Sequence, residues 1–389
     1  MDFSMLLSLF IFLSLSTLTF LFVKGLKQVG YLRQVLPSEA LLKNPPRLSL
    51  IIAARNEEKK IEAAIKSLIN QDYPNYHLLV INDRSTDNTG KILSRLAKDH
   101  GEKLQVHNLQ KLPVGWLGKN HALQYGLKHS QGDLVLLMDA DILAEPSTLS
   151  RAVTYLEKQQ LDHLPILPTF GMQDFWLQAV AGFFVLFLNF LLRPWKAKDP
   201  KSKAYMGVGA FNLIRRQALE KIGGLQSIRL RPDEDLRLGQ KLKESGARQE
   251  VLWGKGLLQV EWYHSLKEMM DGLVKNTYAG MGFRFYLLLI LSLVVLTWDV
   301  WPFTALMVSQ GLAWYFNLAS CFLLFLLYQQ NASTQGLPSY HALVFPISAL
   351  IFLYMIWRAI LITLKQGGVH WRETFYSLEE LKKTETPNL

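Results

Sequence analysis

Hydrophobic residues follow two patterns along the chain: long charge-free runs near both ends and short runs between them. Met5 to Val23 forms a 19-residue stretch without a charge, which is long enough to cross a bilayer. A second apolar block runs from Phe285 to Leu364. Lys24 and Lys27 directly follow the first stretch, and this places the next residues on the cytoplasmic side. The pattern predicts an integral membrane protein with an anchor in residues 1–30 and transmembrane helices in 285–364.

Polar residues interrupt the C-terminal block twice, which predicts three helices within it. Together with the N-terminal anchor, three crossings put the C-terminus outside. The basic residues of segment 365–389 instead favour a cytoplasmic tail. The number of crossings therefore stays open at this point. The expected spans lie near Phe285–Trp301, Phe303–Tyr328 and Ala342–Leu364, and the basic tail residues are Lys365, Arg372, Lys382 and Lys383.

Residues 45–284 alternate short apolar runs with segments of helical periodicity. Ile61, Ala64, Ile65 and Leu68 recur at helical spacing, so a helix should pack against the preceding strand. Alternating strands and helices predict an α/β domain with a mainly parallel, Rossmann-like sheet and right-handed crossovers. The expected strands are Leu48–Ala53, Leu78–Ile81, Leu104–Val106 and Leu134–Met138.

The fourth of these strands ends in two carboxylates, Asp139 and Asp141. Open α/β sheets bind their ligands at the C-terminal ends of their strands. Two neighbouring acids repel each other unless a cation or a donor balances them, and oxygen ligands suit Mg2+ or Mn2+ beside a diphosphate. The pair predicts a metal-diphosphate site, although an isolated Asp-x-Asp triplet is more often a solvated turn.

The chain also carries a strong positive charge. The chain is 50% hydrophobic and carries 42 Lys and Arg against 32 Asp and Glu, a formal charge of +10. No motif with aromatic stacking residues accompanies the charge, so nucleic acid is not the expected partner. A basic face toward anionic lipid or an anionic substrate is the simpler interpretation. The single Cys321 excludes a disulfide within the chain, which fits a reducing compartment.

Two further segments contain candidate functional residues. Gly118 and Lys119 open a helix, where free N–H groups and a cation can meet phosphate oxygens. Pro232 marks another helix start, and Glu234 and Asp235 lie in its first turn, where the helix dipole stabilises negative charge. Leu238 and Leu242 hold that helix on the core, so a first-turn acid can point into the cleft.

The segments LSLIIAARNEE from Leu48, QDYP from Gln71, VINDRSTDNT from Val80 and MDAD from Met138 resemble family 2 glycosyltransferases. They cover about 100 residues in the family's order. The resemblance implies a single GT-A catalytic domain in residues 45–284 that binds a nucleotide-diphospho-sugar. Asn82 stands where many members have a first acid. The positions implied to hold the nucleoside are Ala53, Arg55, Glu57 and Asp83.

Two other segments resemble the membrane lipid-glycosylating subgroup, which includes ceramide glucosyltransferases and hopanoid- or carotenoid-associated enzymes. They are GWLGKN from Gly115 and the tail segment Gly367–Tyr376, where Glu373 replaces a common glycine. The resemblance implies that Lys119 contacts the diphosphate and that Asp235 is the catalytic base, with Glu234 as the alternative. It also implies that Asp141 binds the metal and that Asp139 contacts the ribose or shares the metal.

The implied function is inverting transfer of one sugar, from a UDP-sugar in most members, to a membrane lipid hydroxyl, with Mg2+ or Mn2+ as cofactor. The expected location is a bacterial-type cell membrane with the catalytic domain in the cytoplasm. Processive members usually carry a QxxRW motif, and the segment from His264 to Tyr278 contains none. A polysaccharide synthase and a non-catalytic nucleotide-sugar-binding membrane protein remain the alternatives.

Phe175–Leu192 is an internal stretch of 18 residues without a charge. A single crossing here would put Asp139 and Asp235 on opposite sides of the membrane. We therefore interpret it as a helix that lies in the interface or half-inserts, near the basic residues between Arg193 and Lys203. A buried core helix is the alternative interpretation.

Overall fold

The computed structural model describes residues 3–371 and 374–382, and these form two compact units. The helical unit comprises the residues up to Gln28, Met172–Arg193 and the chain from Trp262 onward. The sheet unit comprises Val29–Gly171 and Pro194–Glu261. Arg372, Glu373 and Lys383, which entered the tail predictions, lie outside the described residues.

Thirteen strands occur in the described residues, and eight of them form one sheet. Its order is β1-β10-β7-β9-β5-β2-β3-β4, numbered along the chain. Only β9 runs antiparallel to its neighbours, so the sheet is mainly parallel. The strands are β1 (Gly30–Tyr31), β2 (Leu48–Ala54), β3 (Tyr76–Asp83), β4 (Leu104–Leu109), β5 (Leu134–Asp139), β6 (Ile142–Ala144), β7 (His163–Leu167), β8 (Thr169–Phe170), β9 (Asn212–Arg215), β10 (Leu252–Trp253), β11 (Leu258–Val260), β12 (Gly368–Trp371) and β13 (Thr374–Ser377).

The helices of the sheet unit cover the sheet, and those of the helical unit are long and apolar. They are α1 (Phe3–Leu26), α2 (Glu39–Lys43), α3 (Ile61–Ile69), α4 (Thr89–Asp99), α5 (Gly118–Lys128), α6 (Thr148–Lys158), α7 (Phe175–Leu192), α8 (Arg216–Lys221), α9 (Glu234–Glu244), α10 (Leu266–Gly272), α11 (Val274–Gly280), α12 (Phe285–Val294), α13 (Trp301–Ala305), α14 (Gly311–Gln335), α15 (Phe345–Gln366) and α16 (Leu378–Lys382).

The four strands expected from apolar runs are present as β2, β3, β4 and β5, each one to four residues longer than expected. Parallel strands buried on both faces need continuous apolar side chains, and β2 and β5 are buried almost throughout. Ile61, Ala64, Ile65 and Leu68 are buried on α3 as their spacing predicted. The predicted α/β domain with a mainly parallel sheet is therefore confirmed.

The segment Tyr205–Ile214 forms a strand only from Asn212 onward. Gly207 and Gly239 lie where the backbone before this strand approaches α9. A Cβ on Gly207 would collide with the Asp235 carbonyl, and a Cβ on Gly239 with the Met206 carbonyl. The backbone before β9 therefore lies against α9 instead of pairing with a strand, and this close approach needs glycine.

Hydrogen bonds between polar side chains join α7 to α14 inside the helical unit. The Asn189 amide donates to Asn331 Oδ1 at 2.8 Å, and the Asn331 amide donates to the Gly182 carbonyl at 3.0 Å. Both asparagines are buried, and these bonds satisfy both the oxygen and the amide group of Asn331 in an apolar environment. Five helices in the described residues are long and apolar enough to cross a membrane: Phe3–Leu26, Phe175–Lys196, Phe285–Ala305, Gly311–Gln335 and Ser339–Gln366. Which of them cross stays a prediction.

Replacing Gly182 by alanine should destabilise the helical unit. An added Cβ would collide with the buried Tyr328 hydroxyl, and the ring lies among well-packed neighbours. Overpacking of this kind costs about 1–3 kcal/mol. Thermal unfolding of the detergent-purified protein should show a lower Tm for Gly182→Ala. Gly280→Ala is the matched control, because nothing lies within 4 Å of a Cβ there, and an equal Tm for both variants would contradict this packing.

Candidate active site

The site forms where β2 and β5 end side by side. Ala53 of β2 pairs in register with Asp139 of β5, and Ala54 pairs with Asn82 of β3. Parallel strands deliver their C-terminal residues to one edge, so the loops that follow each strand meet there. Three of the predicted positions, Ala53, Asp83 and Asp139, therefore lie along this edge.

Lys119 links Asp139, at the end of β5, to Glu234, at the start of α9. Its ammonium lies 2.5 Å from Asp139 Oδ1 and 2.5 Å from Glu234 Oε1. Burial alone would lower the pKa of Lys119, but the carboxylates of Asp139, Glu234 and Asp235 raise it well above its ordinary value. Lys119 therefore stays charged and balances the acids around it.

The Asp235 carboxylate is fixed by two backbone donors. The Gly209 N–H donates to Oδ2 and the Leu236 N–H to Oδ1, both at 2.8 Å. Burial raises the pKa of Asp235, while Lys119 and these two hydrogen bonds act in the opposite direction. The result is an oriented carboxylate that is more basic than an exposed aspartate.

The position of Asp139 also requires glycine at residue 209. The Asp139 N–H donates to the Gly209 carbonyl at 2.9 Å, and a Cβ on Gly209 would lie 2.5 Å from Asp139 Oδ2. One glycine thus lets the backbone pass between Asp139 and Asp235. This contact depends on chain segments far apart in sequence, so the motifs alone gave no sign of it.

Glu234 is more deeply buried than Asp235, with 5% of its surface exposed. Burial raises its pKa to about 7, against the effect of the nearby Lys119 and with the effect of Asp235 and Asp139. Its side chain is engaged by Lys119. Glu234 is therefore an ion-pair partner of Lys119, whereas the Asp235 carboxylate accepts hydrogen bonds from the backbone N–H groups of Gly209 and Leu236.

Two arginines hold the start of α9. Arg231 donates to both oxygens of Asp233 at 2.8 and 2.9 Å, and Arg237 donates to Asp233 at 3.0 Å. The amide of Asn120, the residue after Lys119, donates to the Arg231 carbonyl at 3.0 Å. These contacts fix Glu234 and Asp235 relative to Lys119. Arg231 and Arg237 were visible as charges at positions i−2 and i+4 from Asp233, but their role was not inferred from the sequence.

Asp83, the expected nucleoside contact, is buried and paired with arginine. Arg84 donates to its two oxygens at 2.7 and 2.9 Å, and the Arg55 guanidinium lies 4.0 Å away. A Cβ on Gly118 would lie 2.5 Å from Asp83 Oδ2, so the start of α5 closely approaches this carboxylate. Arg55, Asp83 and the segment bearing Lys119 are therefore brought together.

Hydrogen bonds also join the loops that follow β2 and β3. The Glu57 N–H donates to Thr89 Oγ1 at 2.7 Å, and the Thr86 N–H donates to Asn56 Oδ1 at 2.8 Å. Asn56 has a φ of 55°, a left-handed conformation that asparagine tolerates better than most residues. The loop carrying Arg55 and Glu57 is thus held against the loop after Asp83.

Asp141 lies beside Lys60, whose ammonium is 3.9 Å from Asp141 Oδ2. Burial raises the pKa of Asp141 to about 6, and the negative charges of Asp139 and Glu57 add to this effect, whereas Lys60 opposes it. Concentrated negative charge of this kind is relieved by a bound cation. The residues here therefore fit a divalent metal.

The protein supplies only part of the ligand set that a divalent metal needs. Within residues 3–371 and 374–382, no group of three or more His, Cys, Asp or Glu is arranged around a common point. Asp139 and Asp141 provide two carboxylates, and Mg2+ typically completes such a site with water and substrate phosphates.

Comparison with known proteins finds a family match for the part of the chain that carries most of this site, but the match ends before Glu234 and Asp235. Residues 49–223 match the family model described as Glycosyl transferase family 2. A Pyrobaculum calidifontis mannosyltransferase, solved with GDP-Man and Mn2+, superposes with a TM-score of 0.52 at 19% identity, over 92% of this chain and 99% of that one. At this identity the match shows the fold alone.

Curated relatives align with part of the chain. A beta-monoglucosyldiacylglycerol synthase of Nostoc sp. is 30% identical over 199 residues, which are 49% of this chain and 40% of that protein. A 4,4'-diaponeurosporenoate glycosyltransferase of Staphylococcus aureus is 23% identical over 252 residues, 64% of this chain and 66% of that protein. The match thus spans less than half the length of the synthase. Residues 49–223 are therefore similar to family 2 glycosyltransferases, and the fold is of the GT-A type.

Proposed function

We propose that the protein transfers one sugar from a nucleotide-diphospho-sugar to a hydroxyl group of a membrane lipid, with inversion at the anomeric carbon. The observation that carries this proposal is the Asp235 carboxylate, oriented by two N–H groups next to the Lys119–Asp139 ion pair. A base beside a cation at the end of a parallel strand is the arrangement that a displacement on a diphosphate-linked sugar requires.

The donor would lie along the edge formed by β2, β3 and β5. Ala53, Arg55, Glu57 and Asp83 would hold the nucleoside, and Asp139 would contact the ribose or share the metal. Because Arg84 occupies both Asp83 oxygens, the base would bind through their remaining lone pairs or by displacing Arg84. UDP is the proposed nucleotide, on the resemblance to a family that mostly uses it.

Asp235 would act as the general base. It takes the proton of the acceptor hydroxyl while that oxygen forms a bond to the anomeric carbon and the bond to the diphosphate oxygen breaks. Its burial favours proton uptake, and the positive charge of Lys119 opposes this effect by favouring the ionised form. A single displacement inverts the anomeric configuration and needs no covalent intermediate.

Lys119 would stabilise negative charge on the leaving diphosphate, and a Mg2+ or Mn2+ ion held by Asp141 and Asp139 would supply Lewis-acid stabilisation of the same group. This role is supported by the position of Lys119 at the N-terminus of α5, where backbone N–H groups also favour phosphate. In this arrangement the cation of Lys119 is shared between Asp139, Glu234 and the substrate.

A lipid acceptor is supported by the apolar helices and by the names of the two relatives. The segments on both sides of α7 belong to the same sheet unit, and Lys119 before α7 pairs with Glu234 after it. A single crossing by α7 would separate them, so we propose that α7 enters and leaves the membrane on one face. The sheet unit would then lie in the cytoplasm of a bacterial cell.

Removal of the metal should abolish turnover reversibly. Nucleotide release by the purified protein, given a panel of UDP- and GDP-sugars and a membrane lipid extract, should stop with EDTA and return with Mn2+. Asp141→Ala should raise the Mn2+ concentration for half-maximal rate at least about 10-fold, the effect expected from losing even an outer-sphere contact. Asp99→Ala, at an exposed carboxylate on α4, is the matched control. Full turnover in EDTA would exclude the metal from the proposal.

A further inference from the structure

A cavity of about 600 Å³, open on one side, lies in the helical unit between α1, α7, the helix that begins at Phe285, and α14. Its wall is mostly apolar, with Phe187 of α7 and Leu327 of α14 among the lining residues. Sites for small organic ligands typically measure about 300–1,000 Å³ and combine apolar walls with a few polar groups. The cavity therefore has the size and the surface of a ligand site.

Most polar side chains of the cavity are satisfied by the protein itself. Ser14 and Thr17 donate to carbonyls of their own helix at 2.9 and 3.0 Å, and the Trp298 indole donates to Ser14 Oγ at 2.7 Å. Asp299 is different. Across the part of the chain that the structure describes, its carboxyl group has neither a hydrogen bond nor an ion pair, and none of the residues lining the cavity is a cation.

Asp299 lies within an apolar helical segment. It lies within Val295–Val300, a π-helical stretch between α12 and α13, and this stretch belongs to the apolar segment Phe285–Ala305. Ser14, which contacts the neighbouring Trp298, lies near the middle of α1. A carboxyl group among apolar helices is costly, and π-helical turns are frequent at functional sites, so both features mark a ligand or ion position.

We propose that this cavity binds the hydroxyl-bearing end of a membrane lipid, and that Asp299 accepts a hydrogen bond from the hydroxyl. A hydroxyl group is small and uncharged, so it enters an apolar wall at lower cost than a phosphate or another charged headgroup. The remaining lining side chains would contact the apolar part of the lipid. None of these residues belongs to the Lys119 cluster, so the binding site does not depend on the proposed transfer reaction.

Photolabelling of the full chain in phosphatidylcholine nanodiscs tests this site without any sugar nucleotide. Two probes are compared: a diacylglycerol with a diazirine in one acyl chain, and its 3-O-methyl ether. Mapping by mass spectrometry should place the label on α1 and α7. The free-hydroxyl probe should label about 3- to 10-fold more strongly, which corresponds to one net hydrogen bond.

Three variants make the test specific. Asp299→Leu should remove the preference for the free hydroxyl, and the fold should persist because this change removes an unpaired carboxyl group from apolar surroundings. Leu327→Trp should fill the cavity and reduce labelling by both probes. Leu13→Trp, at an exposed position of α1, should leave labelling unchanged. Equal labelling of the wild-type protein by the two probes, or an unchanged preference in Asp299→Leu, would overturn the proposal.

Discussion

Asp235→Asn should lower the rate of sugar transfer by a factor of about 10² to 10⁴ while nucleotide binding is retained. Asparagine keeps the size of the side chain, and one oxygen can still accept a hydrogen bond from Gly209 or Leu236. It has no carboxylate to take the acceptor proton. The expected result is therefore a loss in kcat, measured as product formation, with an unchanged Kd for the nucleotide by calorimetry.

Two further variants separate the base from its neighbours. Glu244→Gln changes an exposed carboxyl group at the other end of α9 and should leave the rate unchanged. Glu234→Gln should have an intermediate effect, because Glu234 contacts Lys119 and not the acceptor in the proposed mechanism. A larger loss in Glu234→Gln than in Asp235→Asn would transfer the role of base to Glu234.

Lys119→Met should reduce both activity and stability. Methionine fills similar space without charge, so Asp139 and Glu234 lose the cation that lies between them. Breaking a buried ion pair costs about 3–5 kcal/mol, and the exposed part of Asp139 brings the expected loss toward the lower end. Removing one charge-stabilising group from the leaving diphosphate should also cost about 10² to 10³ in rate.

The double variant Lys119→Met with Glu234→Gln distinguishes the two effects. Because the second change removes an unpaired carboxylate, thermal unfolding should show that much of the lost stability returns, whereas activity stays low. Lys128→Met, an exposed lysine at the other end of the same helix, is the matched control for the loss of one positive charge. Recovery of activity in the double variant would contradict a direct role for Lys119 at the diphosphate.

The structural features that the sequence predicted depend on local patterns. Buried parallel strands need continuous apolar side chains, so β2 and β5 are visible as short apolar runs, and the acids that follow β5 mark its C-terminal end. The start of α9 is visible in the same way, because Glu234 and Asp235 lie in its first turn, where the helix dipole stabilises negative charge. Pro232 lies just before the N-cap residue Asp233 and not at the first helical position. Such signals depend on neighbours within a few residues.

The parts that the sequence did not predict depend on contacts between distant segments. The Gly209 N–H reaches Asp235 across 26 positions, and Lys119 reaches Glu234 across more than 100, so neither pair leaves a local pattern. The antiparallel insertion of β9 between β5 and β7 is equally non-local. Hydropathy predicted the position and length of α7, but it did not predict the hydrogen bonds between α7 and α14. Assignments of the individual site residues remain predictions that the variants above test.

The most direct test of the central proposal is transfer of radiolabelled sugar to lipid. Purified full-length protein is incubated with Mn2+, a total bacterial membrane lipid extract and each of a panel of labelled UDP- and GDP-sugars, and the label is counted in the organic phase. We expect one donor to yield a labelled lipid, and Asp235→Asn to lower the rate of its formation by a factor of about 10² to 10⁴. Nucleotide-sugar binding by the same preparation, with no labelled lipid from any donor, would contradict the proposal and favour a binding protein without turnover.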